Sequence, residues 1–220
     1  MQEACQIAIE TSAPRGSVAA GRGRNTVFSA EFEAGRRPSE QIIGPLQQAL
    51  THTGDDMLEL VIIGTGPGSY NGSRVGIAAG QGLGLVHQCP VVGISSLEAL
   101  PEVRGGGPCL ALGDARRGTF FTLELRDGKV AGDPCLSDHM AFTRRVEAAL
   151  DGRWTLVSLE EPGRLDLPGR DVRWESPSAE LLLEAWRLRS EEERHALLGI
   201  APEPFYLRPP HITEPKQAPL

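Results

Sequence analysis

Residues 60–87 read LVIIGTGPGSYNGSRVGIAAGQGLGLVH, and this stretch decides the fold class. The apolar run at 60–64 is too short for a helix and rich in β-branched residues, so it predicts a buried parallel strand. A glycine-rich loop follows over 64–72, then a predicted helix at 73–87 and a strand at 90–94. This order of strand, loop, helix and strand is typical of an α/β protein with parallel pairing.

The sequence before this stretch predicts an antiparallel meander and one helix. Short strands are expected at 5–10, 17–21 and 26–32, because turn residues separate them. Ser39 is a plausible N-cap for a helix that ends at 53, and Pro45 predicts a kink inside it. One face of this helix is apolar and consists of Ile42, Ile43, Leu46, Ala49 and Leu50.

The pattern starts again after the sharp punctuation GGGP at 105–108. Strands are expected at 109–113, 119–125 and 129–131, a helix at 140–150 and a strand at 154–159. Residues 160–175 are predicted as a loop, and residues 178–198 as one helix. Two halves with the same order of elements predict a duplicated α/β fold. The predicted boundaries are 1–104 for the first subdomain, 105–210 for the second and 211–220 for a mobile tail.

Composition excludes some classes of protein. The 220 residues carry a net charge of −7, which excludes a globally basic nucleic-acid binder. Residues 75–97 contain no Asp, Glu, Lys or Arg, but their five glycines and Pro90 argue against a membrane span. The N-terminal residues lack a secretory pattern, and the four cysteines form no CxxC pair. We therefore expect a cytoplasmic protein with reduced thiols.

Glycines recur every four residues through the helix predicted at 73–87. Gly72, Gly76, Gly80 and Gly84 fall on one helix face, although a glycine in a helix interior costs about 1 kcal/mol relative to alanine. Close approach of another backbone would offset that cost through dispersion contacts. The pattern alone leaves two alternatives open, a partner helix or the sheet of the same chain.

Few side chains indicate catalysis. The glycine-rich loop could hold an anion or form a tight strand-to-helix turn, and it lacks the Lys of a Walker A loop. The five histidines have no metal-binding spacing, which argues against a metal site and a metallopeptidase. Asp114, at a strand end, could position a metal–nucleotide or form an Asx turn or ion pair. Residues 10–12 could approach phosphates or cap a turn.

Six segments of the chain together resemble the TsaB (YeaZ) family. They are IAIETS at 7–12, GPGSYNGSRVG at 66–76, GQGL at 80–83, PVVGISSL at 90–97, DARRG at 114–118 and PFYLR at 204–208. Their order and spacing fit over nearly the whole chain, whereas residues 156–175 fit poorly. The resemblance implies two similar subdomains of the actin/Hsp70/sugar-kinase (ribonuclease H-like) type, each a mixed sheet with flanking helices.

The same resemblance implies a function without catalysis. Members of the family are scaffold subunits of the complex that installs a threonylcarbamoyl group on the adenosine next to the anticodon of ANN-decoding tRNAs. They bind and activate the paralogue TsaD, and the ATPase TsaE joins them. No cofactor and only indirect contact with tRNA are implied, and a homodimer through the same helices stays open. The implied interface lies on the helices at 39–53 and 73–87, at Ile42, Ile43, Leu46, Leu50, Gly72, Gly76, Ala79, Gly80 and Leu83.

The chain also departs from the family pattern. Tyr70-Asn71 and Ser73 stand where the pattern GPGSFTGLR has Phe-Thr and Leu, and the HxxxH metal motif of TsaD is absent. The alternative function is an ATP-dependent kinase or ATPase of the same superfold. That enzyme would bind ATP through the candidate nucleotide site Glu10, Thr11, Ser12 and Asp114.

Overall fold

Two five-stranded mixed sheets organise the chain. The computed structural model describes residues 5–34, 37–53 and 57–207. The first sheet has the order β3-β2-β1-β4-β5. β1 pairs antiparallel with β2 and β2 with β3, which confirms the predicted meander, and β4 and β5 add in parallel. The strands are β1 (Cys5–Glu10), β2 (Arg15–Arg22), β3 (Asn25–Glu33), β4 (Leu58–Gly64) and β5 (Val91–Ile94).

The second sheet repeats the first. Its order is β8-β7-β6-β9-β10, again with an antiparallel meander followed by two parallel strands. The strands are β6 (Cys109–Asp114), β7 (Phe120–Arg126), β8 (Lys129–Ser137), β9 (Thr155–Ser158) and β10 (Val172–Trp174). The predicted fold class, a duplicated α/β fold with two mixed sheets and flanking helices, is confirmed. Sequence reasoning missed β10, and residues 159–171 connect β9 to β10 through turns without a helix.

Helices cover both faces of the first sheet. The helices of the described residues are α1 (Pro38–Gln41), α2 (Ile43–Thr53), α3 (Tyr70–His87), α4 (Pro101–Arg104), α5 (His139–Asp151), α6 (Ala179–Arg187) and α7 (Glu191–Leu198), with a 3-10 turn at Ser96–Ala99. Of these helices, α2, α3 and α6 pack on the first sheet and α5 packs on the second. Ile7 and Ile9 of β1 point to the face under α2 and α3, whereas Ala8 points to the face under α6. This alternation buries an apolar core on each side of β1. No helix among the described residues is long and apolar enough to cross a membrane.

Helix α6 returns to the first sheet from the second half of the sequence. Leu182, Leu183 and Trp186 pack against Ala8 and Ile62, and the Ala179 N–H donates to Ser17 Oγ at 2.8 Å. The spatial halves therefore do not follow the sequence order throughout. The boundary at 104 stays a prediction, and the tail predicted at 211–220 lies outside the described residues.

Three helix predictions are corrected. Ser39 is not an N-cap, because α1 begins at Pro38 after Arg37. The helix expected at 39–53 breaks at Ile42 rather than kinking at Pro45, since the proline ring disfavours a helical carbonyl four residues before it. The helix expected at 178–198 is two helices, because Ser190 and Glu193 form a capping box that starts α7.

Candidate functional site

The glycine-rich face of α3 lies against the sheet of the same chain. A Cβ on Gly80 would lie 2.8 Å from Ile63 Cγ1, and one on Gly84 would lie 3.0 Å from the Cys89 carbonyl oxygen. A Cβ on Gly72 or Gly76 would collide with Thr11. Of the two alternatives that the pattern left open, packing on the chain's own sheet is correct. The assignment of Gly72, Gly76 and Gly80 to a partner interface is therefore wrong.

The loop before α3 is held as a tight strand-to-helix turn. Ser69 caps the helix, its Oγ accepting the Gly72 N–H at 3.1 Å, and its own N–H donates to the Ser12 carbonyl at 2.6 Å. Thr11 Oγ1 donates to the Gly72 carbonyl at 2.8 Å. Ser73, which departs from the family pattern, donates its hydroxyl to the Ser69 carbonyl at 3.1 Å. These bonds fasten the start of α3 to the end of β1.

The faces of α2 and α3 that point away from the first sheet are open to solvent and almost free of charged residues. Ile43, Leu85 and Val86 are 54, 82 and 75% exposed. Arg74 is the only Asp, Glu, Lys or Arg in either helix. We call this region the α2–α3 surface, and its exposed members include Ile43, Gly44, Gln47, Ala78, Gln81, Gly82, Leu85 and Val86.

The other interface residues expected from the sequence divide between core and surface. Ile42 is buried in the core beneath α2, so its assignment to the interface is wrong. Ile43 is exposed on the α2–α3 surface. The remaining four are half-buried at the margin of the same core, namely Leu46, Leu50, Ala79 and Leu83. Their place in an interface stays a prediction.

A cleft of about 760 Å³ lies between the two halves. The β1–β2 turn, the loop before α3, the β6–β7 turn, the segment after β9 and residues 204–207 line it. The structure brings Thr11, Ser12 and Asp114 of the candidate nucleotide site together at this cleft. Glu10, the fourth residue of that candidate site, does not line the cleft.

Glu10 lies beneath the cleft rather than in it. Its side chain is completely buried, and Oε1 accepts the Ser12 N–H at 2.6 Å. Burial raises the pKa of this carboxyl above its ordinary value of 4.5, and hydrogen bonds from Ser12 and Ser96 oppose the shift. Glu10 is enclosed by its own neighbours and cannot contact a ligand in the cleft. Its assignment to a nucleotide site is therefore wrong.

We expect the free energy of unfolding of Glu10→Gln to increase relative to that of wild type as pH rises. Above pH 4.5 the unfolded chain releases the Glu10 proton that the folded chain keeps, so wild type loses stability with rising pH. Urea denaturation at several pH values between 5 and 8 measures the free energy of unfolding. The exposed Glu59→Gln serves as control. A Glu10→Gln effect that does not change with pH would contradict the expectation.

Asp114 is engaged by the chain itself. Its Oδ1 accepts the Arg116 N–H at 2.7 Å, which forms the Asx turn, and its Oδ2 lies 3.8 Å from Arg164 Nη2. Arg164 also pairs with Glu160 at 3.0 Å. The interpretation of Asp114 as an Asx-turn and ion-pair residue is confirmed. Among the residues that the structure describes, no group of three His, Cys, Asp or Glu side chains could hold a metal ion.

Sequence reasoning missed an aromatic cluster at the mouth of the cleft. Tyr70 and Tyr206 line the cleft, and the Arg74 Nε donates to the Tyr206 hydroxyl at 3.0 Å. The arginine and its acceptor are 132 residues apart in the chain. No local pattern signals such a contact, although both residues belong to segments that carry the family resemblance.

Comparison with known proteins decides the family. The family model described as TsaD, tRNA N6-adenosine threonylcarbamoyltransferase, matches residues 32–165, which is more than half of the chain. The TsaB protein of Escherichia coli K12 is 32% identical over 127 residues, covering 54% of each chain. The chain belongs to the TsaB (YeaZ) family. The TsaB protein of Haemophilus influenzae is 30% identical over 140 residues, 60% of this chain and 58% of that protein.

The fold is that of a solved TsaB (YeaZ) structure. YeaZ from Pseudomonas aeruginosa superimposes with a TM-score of 0.71 at 22% identity, covering 93% of this chain and 100% of that one. In sequence, the matched region spans only about half the length of the curated TsaB relatives. The structural match to the Pseudomonas aeruginosa protein therefore covers more of this chain than the sequence matches to the two curated relatives do.

Proposed function

We propose that this chain is a non-catalytic subunit in the synthesis of threonylcarbamoyladenosine in tRNA. In this role it binds a TsaD-like threonylcarbamoyltransferase and holds it in its active form. A TsaE-like ATPase joins the pair, and the chain contacts tRNA only through its partners. It works in the cytoplasm and needs no cofactor of its own. Membership of the TsaB (YeaZ) family supports the pathway.

The exposed and uncharged α2–α3 surface is the main support for binding of a TsaD-like protein. Exposed apolar side chains such as Leu85 and Val86 lie beside small ones such as Ala78 and Gly82. Burying such a surface costs little charge desolvation and removes apolar area from water. The apolar, uncharged centre of a protein–protein interface has this composition. A partner helix would pack closely on the side-chain-poor stretch around Gly82, since Gly72, Gly76 and Gly80 face the chain's own core.

The cleft supports a role other than ATP turnover. Glu10 is enclosed beneath the floor, and Asp114 is tied to Arg116 and Arg164. An acid that coordinates a metal–nucleotide has to face the ligand with its oxygens available. Glu10 and Asp114 are the acidic residues of the candidate nucleotide site, and neither has its oxygens available in this way. Their placement therefore favours the scaffold function over a kinase or ATPase.

Gly82→Trp is expected to weaken pairing with the TsaD-like protein by about tenfold or more, since overpacking a close contact costs roughly 1–3 kcal/mol. A Cβ on Gly82 meets no atom within 4 Å, so the indole projects outward without disturbing the fold. Isothermal titration calorimetry with the TsaD-like protein of the same organism measures the affinity.

Gly107→Trp is the matched control, because Gly107 is exposed in the second half and its Cβ also meets no atom within 4 Å. It should pair like wild type. If wild type does not bind the TsaD-like protein, or if Gly82→Trp binds it as tightly as Gly107→Trp does, the proposed pairing through this surface is wrong.

A further inference from the structure

Arg74 contacts a pair of neighbouring tyrosine rings, Tyr70 and Tyr206, at the N-terminal end of α3. Its guanidinium carbon lies 4.1 Å from the centroid of the Tyr70 ring and 5.9 Å from that of Tyr206. The two rings are 5.7 Å apart, and the Tyr206 hydroxyl accepts the Arg74 Nε hydrogen at 3.0 Å. An exposed arginine normally samples many rotamers, so these contacts orient the guanidinium before any partner arrives.

The charge of Arg74 is not neutralised within the described part of the chain. Among the described residues, no Asp or Glu carboxylate lies within 4.0 Å of the Arg74 guanidinium. Helices α2 and α3 contain no Asp or Glu. A single oriented cation therefore borders an otherwise uncharged surface, in a chain whose net charge is −7.

We propose that Arg74 is the charged anchor of the α2–α3 surface and binds a carboxylate of the partner protein. This inference rests on the pairing proposed above and adds the chemistry that the partner must supply. A guanidinium binds a carboxylate through two parallel hydrogen bonds, and such charge-assisted bonds are stronger than neutral ones. Tyr70 and Tyr206 act as positioning residues, since they orient the guanidinium.

The same charges favour a different protein over a second copy of this chain. In a two-fold symmetric dimer both copies contribute the same patch. A second copy would bring α2 and α3, which hold no carboxylate for Arg74. On the short helix α1, Glu40 already lies 3.4 Å from Arg37 of its own chain. The partner is therefore a chain that places an Asp or Glu at the edge of its own apolar helix face.

The test compares Arg74→Met and Arg74→Lys with wild type in titrations against the TsaD-like protein at about 50 mM and 500 mM NaCl. Wild-type affinity should fall as salt rises, because salt screens the exposed charges at the rim. Arg74→Met should bind about tenfold or more weaker at low salt and lose much of the salt dependence. Arg74→Lys should recover part of the affinity, and Tyr206→Phe should weaken binding less than Arg74→Met does.

The outcomes separate this inference from the proposed function. If Gly82→Trp abolishes pairing while Arg74→Met keeps wild-type affinity and salt dependence, the carboxylate anchor is wrong and the scaffold function stands. If wild type forms a homodimer that Arg74→Met dissociates, the occupant is a second copy and the inference is overturned. If wild type does not bind the TsaD-like protein at all, both proposals fail. Circular dichroism of each variant confirms that the fold is retained.

Discussion

We expect Arg189→Met to lower the free energy of unfolding by about 3–5 kcal/mol, the cost of leaving a buried charge without its partner. Arg189 forms an ion pair with Glu98, and both side chains are only 8% exposed. Glu98 Oε1 also accepts the Val130 N–H at 3.3 Å, and Arg189 Nη1 donates to the Ala185 carbonyl at 2.6 Å. Methionine fills the space of the arginine stem but leaves the buried Glu98 carboxylate without the Arg189 guanidinium that pairs with it.

An exposed ion pair on the first sheet provides the control. Arg15 and Glu31 lie 3.5 Å apart, with side chains 69 and 60% exposed. Solvent screens such pairs, so Arg15→Met should cost less than about 1 kcal/mol. Urea denaturation at neutral pH measures both changes. Equal effects for the two variants would show that the Glu98–Arg189 pair does not stabilise the fold. The double variant Glu98→Gln/Arg189→Met should be less destabilised than Arg189→Met alone.

Gly80→Ala should destabilise the protein by roughly 2 kcal/mol, within the range for an overpacked core. The added Cβ would lie 2.8 Å from Ile63 Cγ1 and 3.2 Å from Val61 Cγ1, and both neighbours are fully buried. Relief requires α3 to move away from β4 or Ile63 to leave its rotamer. Either change loosens the core beneath α3.

Gly82→Ala is the matched control, two residues along the same helix. Its Cβ meets no atom within 4 Å, so the variant gains helix propensity and should stabilise the protein by up to about 1 kcal/mol. Denaturation curves of the two variants therefore shift in opposite directions. Two alanines with the same effect would mean that α3 does not lie as close to the sheet as the structure shows.

Most of the fold could be predicted from the sequence because its signals are local. Short apolar runs between turn residues predicted nine of the ten strands found in the described residues, and the three-strand meander repeats after residue 105. The tenth strand, β10, is three residues long and follows a stretch without periodicity. The break between α6 and α7 was missed because a capping box within a helix-like pattern resembles ordinary polar helix residues.

The candidate site was less predictable, because its contacts are distant in the sequence. Glycines spaced by four residues correctly indicated a close approach, but the spacing cannot say which surface approaches. The Asx turn at Asp114 was predictable, because its side chain accepts the N–H of Arg116, only two residues later in the sequence. The contact of Arg74 with Tyr206 spans 132 residues and follows from tertiary structure alone.

The return of α6 to the first sheet has a consequence for synthesis on the ribosome. Strands β1, β4 and β5 are complete once Ile94 has been made, yet the face that carries Ala8 and Ile62 stays bare until Leu182 and Trp186 emerge. At a synthesis rate of about 5–20 residues per second that delay is roughly ten seconds. During this interval the nascent chain exposes an apolar β-sheet face, and such a face is prone to aggregation until α6 covers it.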